Sequence, residues 1–162
     1  MPSFQLAGLP EAPFEPLFSL PDDRLLSLGA LRCVATERHA FPCRVSLQDA
    51  AVGEELLLLP YAHQPEATPY RASGPIFVRR GARRRALAPG VVPPYVSRRL
   101  ISLRAYNAGH LMTDASACEG TAVAGWLEQM FSDPAVAYVH LHNAKRGCFS
   151  CVANRAVPAP GG

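Results

Sequence analysis

Two histidines, two cysteines, a lysine and an arginine fall within one short stretch, Tyr138-Val139-His140-Leu141-His142-Asn143-Ala144-Lys145-Arg146-Gly147-Cys148-Phe149-Ser150-Cys151. His140 and His142 are two apart, so an extended strand turns both imidazoles to one face and Val139 and Leu141 to the other. Gly147 suits the left-handed position that ends a four-residue hairpin loop, Ala144 to Gly147. That loop sets Asn143 opposite Cys148, His142 opposite Phe149 and His140 opposite Cys151. A five-residue loop instead pairs His142 with Cys148, so parity decides which thiol meets the histidines.

Two chemistries follow from these side chains. His-x-His with one thiolate offers three nitrogen and sulfur ligands for zinc with an open fourth position. Alternatively Cys148 is a nucleophile, with His140 or His142 as its base and Lys145 and Arg146 nearby to favour the thiolate. The catalytic candidates are therefore Cys148, His140 and His142. The plainer alternative is a pair of histidines on a half-solvated sheet with cysteines that only pack. Cys148-x-x-Cys151 is a poor redox pair, because an odd offset on a strand sends the two sulfurs to opposite faces. Cofactor identity is not readable from the sequence, and no complete metal-ligand set is assigned.

A second set of candidates comes from the charge distribution. The formal net charge is only +3, yet residues 1–70 hold four arginines against nine acids, and residues 71–113 hold nine arginines and no acid. Residues 114–162 return to about neutrality, with four acids against Lys145, Arg146 and Arg155. Arg71 and Ser73 sit in a Pro- and Gly-flanked loop that can present a guanidinium, a hydroxyl and backbone N–H groups to an anion. Arg104 and Tyr106 share a strand face able to clamp a carboxylate or phosphate. With Asn143 at the hairpin end, these are the ligand-binding candidates, and a small anionic molecule is the expected partner. The alternative is a nucleic acid or other polyanion held by Arg79 to Arg85. Sparse aromatics and a pI of about 8.7 argue against that, and the acidic first segment is expected to neutralise much of the basic middle. His39, His63 and His110 read as isolated loop residues.

The elements that must position these groups are short. The chain has 162 residues, 49% hydrophobic and 18% charged, which bounds it to about one globular domain with its own core. No apolar run approaches the ~20 residues a membrane span needs, and the first residues carry neither a basic start nor an apolar run. Five cysteines, an odd number, fit free thiols in a reducing cytoplasm. Strands are expected over residues 3–9, 31–36, 44–47, 54–61, 75–79 and 97–106. Residues 63–74 read as a long polar loop, and 79–85 as a solvated hairpin tip. Asp22 and Asp23 open a short helix that Gly29 stops. The main helix is expected over 118–132, with Val123, Trp126, Leu127, Met130 and Phe131 on one stripe and Ser116 with Glu119 as a capping box. A hairpin over 135–142 and 148–154 follows. Residues 1–155 thus read as a single α+β domain: an antiparallel-rich sheet, with barrel-like closure left open, one main helix in the C-terminal half, and short N-terminal helices. Residues 156–162 read as a flexible Pro/Gly tail.

Three stretches carry a resemblance: Phe41-Pro42-Cys43-Arg44-Val45-Ser46-Leu47 leading to Gly53-Glu54, Thr68-Pro69-Tyr70-Arg71-Ala72-Ser73-Gly74-Pro75-Ile76-Phe77-Val78, and His140-Leu141-His142-Asn143-Ala144 with Gly147-Cys148. They resemble the bacterial domain-of-unknown-function family numbered 1203, over about residues 4–155. The resemblance implies a small stand-alone bacterial protein and marks the Cys148 hairpin end and the Pro69 to Pro75 loop as family features. Cys151 and the Arg83 to Arg85 run are less typical of it. It implies no activity, cofactor or catalytic residue.

Overall fold

Alternation of apolar and polar residues, broken by glycine and proline, builds two open sheets rather than one closed barrel. The computed structural model of the chain describes residues 3–157. Among them, the strands are β1 (Phe4–Ala7), β2 (Leu31–Val34), β3 (Pro42–Cys43), β4 (Gln48–Asp49), β5 (Glu55–Gln64), β6 (Ala72–Arg79), β7 (Leu100–Asn107), β8 (Met112–Glu119), β9 (Val136–Asn143) and β10 (Phe149–Arg155). The first sheet runs β1-β10-β9-β7-β8 and is antiparallel throughout. The second runs β2-β5-β6-β3-β4, antiparallel except where β3 meets β6 in parallel at Cys43 and Phe77. Short helices α1 (Asp22–Ser27) and α2 (Pro94–Ser97) flank the second sheet and precede β7, and α3 (Val123–Phe131) is the main helix. None is long and apolar enough to cross a membrane. The fold is α+β, as composition and periodicity indicate.

The α3 stripe packs on the first sheet. Val123, Leu127, Met130 and Phe131 bury against Ile101, Leu103, Val139, Leu141, Cys151 and Ala153, alternate residues of β7, β9 and β10. The helix is shorter than expected. Residues 112–119 form β8, paired with β7, and Gly120–Ala122 is a 3-10 turn, so Ser116 and Glu119 form no capping box. Strand pairing with β7 takes the segment that helix propensity alone would have assigned to the first turn. The second sheet has a separate core, Leu57, Leu59, Ile76 and Val78 with Phe14, Phe18 and Leu25 of the N-terminal segment, and Phe149 of β10 reaches into it.

Two further expectations are corrected. Residues 44–47 are a tight turn, not a strand: Leu47 N–H bonds back to the Cys43 carbonyl at 3.0 Å and Leu47 sits at φ 51°. The turn is held from outside, Leu9 N–H donating to the Arg44 carbonyl and Arg85 N–H to the Val45 carbonyl. Residues 63 and 64 belong to β5, which runs on through a bulge beside β6, so the connecting loop is only 65–71. His63 is a strand residue.

The Arg79 to Arg85 run is not a free hairpin tip. Arg79 pairs with Glu54, Arg80 with Glu55 and, by its guanidinium face, with the Phe18 ring. Arg83 reaches Glu15 at 3.1 Å, and Arg84 donates to the Gly8 carbonyl. Acids of the first 70 residues thus pair with Arg79, Arg80 and Arg83, while the side chains of Arg84 and Arg85 have no carboxylate partner among the described residues. Of the tail expected over 156–162, residues 158–162 lie outside the described residues, and Ala156 N–H donates to the Ser3 carbonyl at 3.0 Å.

Candidate functional site

The hairpin register is set by the four-residue loop. Gly147 adopts φ 74° and its N–H bonds the Asn143 carbonyl at 2.7 Å, while Asn143 N–H bonds the Cys148 carbonyl at 2.8 Å. His142 therefore faces Phe149. Beyond that point the expected register fails, because Ser150 is an extra residue in β10. The bulge moves Cys151 opposite Leu141 and sets Val152, not Cys151, opposite His140. Cys151 consequently packs in the helix-side core, where burial pushes its thiol up to about 12. All five cysteines are free, and Cys148 and Cys151 form no disulfide.

Three strands build the histidine face. β9 presents Tyr138, His140 and His142, and β7 sets Tyr106, Arg104 and Ser102 directly opposite them. From the second sheet, β5 contributes Tyr61 and His63 at a spacing of two. The His63 ring lies 4.9 Å from His142 and 6.1 Å from His140, and stacks on Phe149 at 5.6 Å. Tyr106 stacks on Tyr138 at 5.2 Å, and Tyr70 of the 65–71 loop packs edge-on to Tyr106. The two sheets thus meet along an aromatic seam with three imidazoles in it.

The electrostatics of that seam are unusual. His140 and His142 are 6% and 1% exposed, and burial pushes their imidazoles down to about 3 and about 4, with Arg104 and the neighbouring histidines acting in the same direction. Burial and Arg104 lower His63 as well. All three are neutral at pH 7. His142 Nδ1 lies 3.1 Å from the Gly147 carbonyl, which can only accept, so that nitrogen carries the proton and Nε2 keeps its lone pair. His142 Nε2 and His140 Nδ1 are buried without a protein partner. Among the described residues, Arg104 makes no ion pair; its only side-chain bond is from Nε to Ser102 at 3.4 Å.

Cys148 does not join the histidines. It is out of phase with Phe149, and its Sγ instead accepts from Arg44 Nη2 at 3.1 Å and Asn143 Nδ2 at 3.7 Å. Arg44 is 1% exposed, donates to the Phe149 and Pro42 carbonyls at 2.7 and 2.6 Å, and has no carboxylate partner among the described residues. Cys148, Asn143 and Ser73 line a cleft of about 1090 Å³ between the sheets, together with Arg44, Lys145 and Arg146. His63 and Phe149 line the same cleft. Arg98 and Arg99 also border it, but both are committed to Asp49.

The candidate residues are therefore distributed over two adjoining groups. His140, His142, Arg104 and Tyr106 share the seam; Cys148, Asn143 and Ser73 line the cleft; exposed Arg71 borders neither. No set of three or more His, Cys, Asp or Glu side chains among the described residues is arranged to hold a metal ion. Sequence reasoning missed His63 and Arg44. The Tyr61/His63 alternation was a usable signal for the first, and an arginine inside the otherwise apolar run 41–47 for the second.

A family model described as "Protein of unknown function (DUF1203)" matches residues 40–155. No curated protein matches the chain, and no solved structure does.

Proposed function

The chain belongs to the DUF1203 family of proteins of unknown function, and from that premise we propose that it binds a small anionic molecule in the cleft between its two sheets. The observation that carries this is Arg44, a buried guanidinium without a carboxylate partner, at the floor of a cleft rimmed by Lys145 and Arg146. Burying a lone cation is costly unless an anion compensates it. Lys145 and Arg146 are exposed and unpaired among the described residues, so they add attraction at little structural cost. The Arg79 to Arg85 run is a weaker candidate for polyanion binding, since Arg79, Arg80 and Arg83 are already paired with carboxylates. Cys148, whose Sγ accepts from Arg44, lines the same cleft and is the nucleophilic side chain a bound electrophile meets there. Being out of phase with His140 and His142, it has neither as a base, and of the seam only His63 and Phe149 line the cleft.

Thermal denaturation tests the binding claim. At constant ionic strength, phosphate in excess is expected to raise Tm by several degrees over chloride, since a ligand at about 100 times its Kd stabilises by about 2.7 kcal/mol. The Lys145→Ala/Arg146→Ala protein keeps its basal Tm and loses the gain. A short DNA duplex at low salt gives no shift. No gain with phosphate, or an equal gain in the double variant, overturns the proposal; a gain with DNA that falls log-linearly with salt supports the polyanion alternative instead.

A further inference from the structure

The cleft that holds the cations also has an apolar wall. On β5 and β6, Leu57, Leu59, Ile76 and Val78 turn into the second core, so Leu58 and Phe77, which pair directly across the two strands, turn to the opposite face. Phe41 packs on Phe77 with ring centroids 5.2 Å apart, and Pro75 stands two residues from Phe77 on the same strand face. Phe41, Leu58, Pro75 and Phe77 all line the cleft, and none of them is buried. The wall adjoins the cations. Arg44 N–H donates to the Phe77 carbonyl at 3.0 Å, and its guanidinium donates to the carbonyl of Pro42, the residue after Phe41. Lys145 and Arg146 line the same cleft from the β9–β10 turn. A contiguous apolar surface left in water within a cleft is what the apolar part of a ligand covers. An inorganic anion satisfies the cations and leaves that wall wet.

Resting on the anion-binding reading above, we infer that the ligand is an amphipathic organic anion, a carboxylate or phosphate monoester on an alkyl or aromatic body, whose charged group lies toward Arg44, Lys145 and Arg146 while its apolar body lies on Phe41, Leu58 and Phe77. The size of the cleft fits such a molecule. Its volume of about 1090 Å³ matches the upper end of sites that take whole organic ligands, roughly 300–1,000 Å³, and an inorganic ion fills little of it. A mostly apolar lining with a few placed polar groups is also the usual make-up of those sites. The sign of the head group follows from the same lining. Five cationic side chains line the cleft against the one carboxylate of Glu37, and of the five Asp49 holds Arg98 and Arg99. Charge then fixes the orientation of the ligand, and the apolar wall supplies most of the affinity.

Two ligands with the same head group test this on the unaltered protein. Methyl phosphate and n-hexyl phosphate carry the same charge and differ by about five methylenes of apolar chain. Each methylene taken out of water raises affinity about fourfold, and a half-open wall covers about half of the chain. Titration calorimetry is therefore expected to give n-hexyl phosphate about thirtyfold tighter binding, with the more negative heat-capacity change of the two. Leu58→Thr and, separately, Phe41→Ser lower affinity for n-hexyl phosphate at least about threefold and leave methyl phosphate unchanged. Lys145→Ala/Arg146→Ala weakens both ligands alike. Equal affinity for the two phosphates overturns the amphipathic inference and leaves anion binding standing; a dimer in sedimentation then assigns the wall to a second copy of the chain. Failure of both to bind overturns the two readings together. A gain for n-hexyl phosphate that survives both Leu58→Thr and Phe41→Ser also overturns the inference, because the chain then lies elsewhere.

Discussion

Between pH 7 and pH 5 the protein is expected to lose about 4 kcal/mol of unfolding free energy. His140 and His142 titrate at about 3 and about 4 in the folded chain, against about 6.5 when unfolded. Below 6.5 the unfolded chain takes up protons that the folded chain refuses, so their contribution is complete above that pH and falls as the medium is acidified. Each histidine costs about 1.4 kcal/mol per pH unit in that window. Nearly complete burial means solvent screens little of it. The lowered carboxyls of Glu11, Glu55 and Glu128 act in the same sense, but their losses begin only near the ordinary carboxylate range. Urea unfolding at pH 7, 6 and 5 measures the slope, and His140→Gln is expected to remove about half of it. A flat profile from pH 7 to pH 5 contradicts the burial of neutral imidazoles in the seam.

Gly8→Ala is expected to cost about 3 kcal/mol or more, at the upper end of overpacking losses. A Cβ at that position would stand 2.0 Å from the Val45 carbonyl oxygen. That carbonyl cannot withdraw cheaply, because it accepts from Arg85 N–H at 3.0 Å and lies in the turn that carries Arg44. The damage therefore reaches the cleft floor as well as the core. Gly125→Ala provides the opposite sign. Gly125 lies in α3, exposed, with open space around it, and the substitution is expected to stabilise by about 0.5–1 kcal/mol. Thermal or urea unfolding of both variants reads the contrast; a neutral Gly8→Ala would mean the turn over 44–47 is not held as described.

Much of this architecture is visible in local sequence. The hairpin register follows from Gly147, the helix stripe from Val123, Leu127, Met130 and Phe131, and the shared face of Arg104 and Tyr106 from strand alternation. The failures have physical causes of another kind. The Ser150 bulge is a tertiary choice that lets Phe149 enter one core while Cys151 enters the other, and no spacing rule announces it. Arg44 to Leu47 alternates like a strand, yet an apolar-looking run becomes a turn because Leu9 and Arg85 supply its backbone partners from far along the chain. His63 sits after Pro60 and before Pro65, where proline suggests a loop, but β6 pairing carries β5 past both tyrosine and histidine. The meeting of His63 with His140 and His142 across two sheets is a non-local contact that pattern alone does not contain.

Alkylation of Cys148 tests most directly whether a small anion occupies the cleft. With iodoacetamide and mass-spectrometric mapping near neutral pH, Cys148 is expected to react faster than half-buried Cys33 and Cys118, whose thiols burial pushes up. Saturating phosphate is expected to slow that reaction several-fold in the unaltered protein and to leave it unchanged in Lys145→Ala/Arg146→Ala. A Cys148 rate indifferent to phosphate, while phosphate still raises Tm, would place the anion outside the cleft and contradict the account.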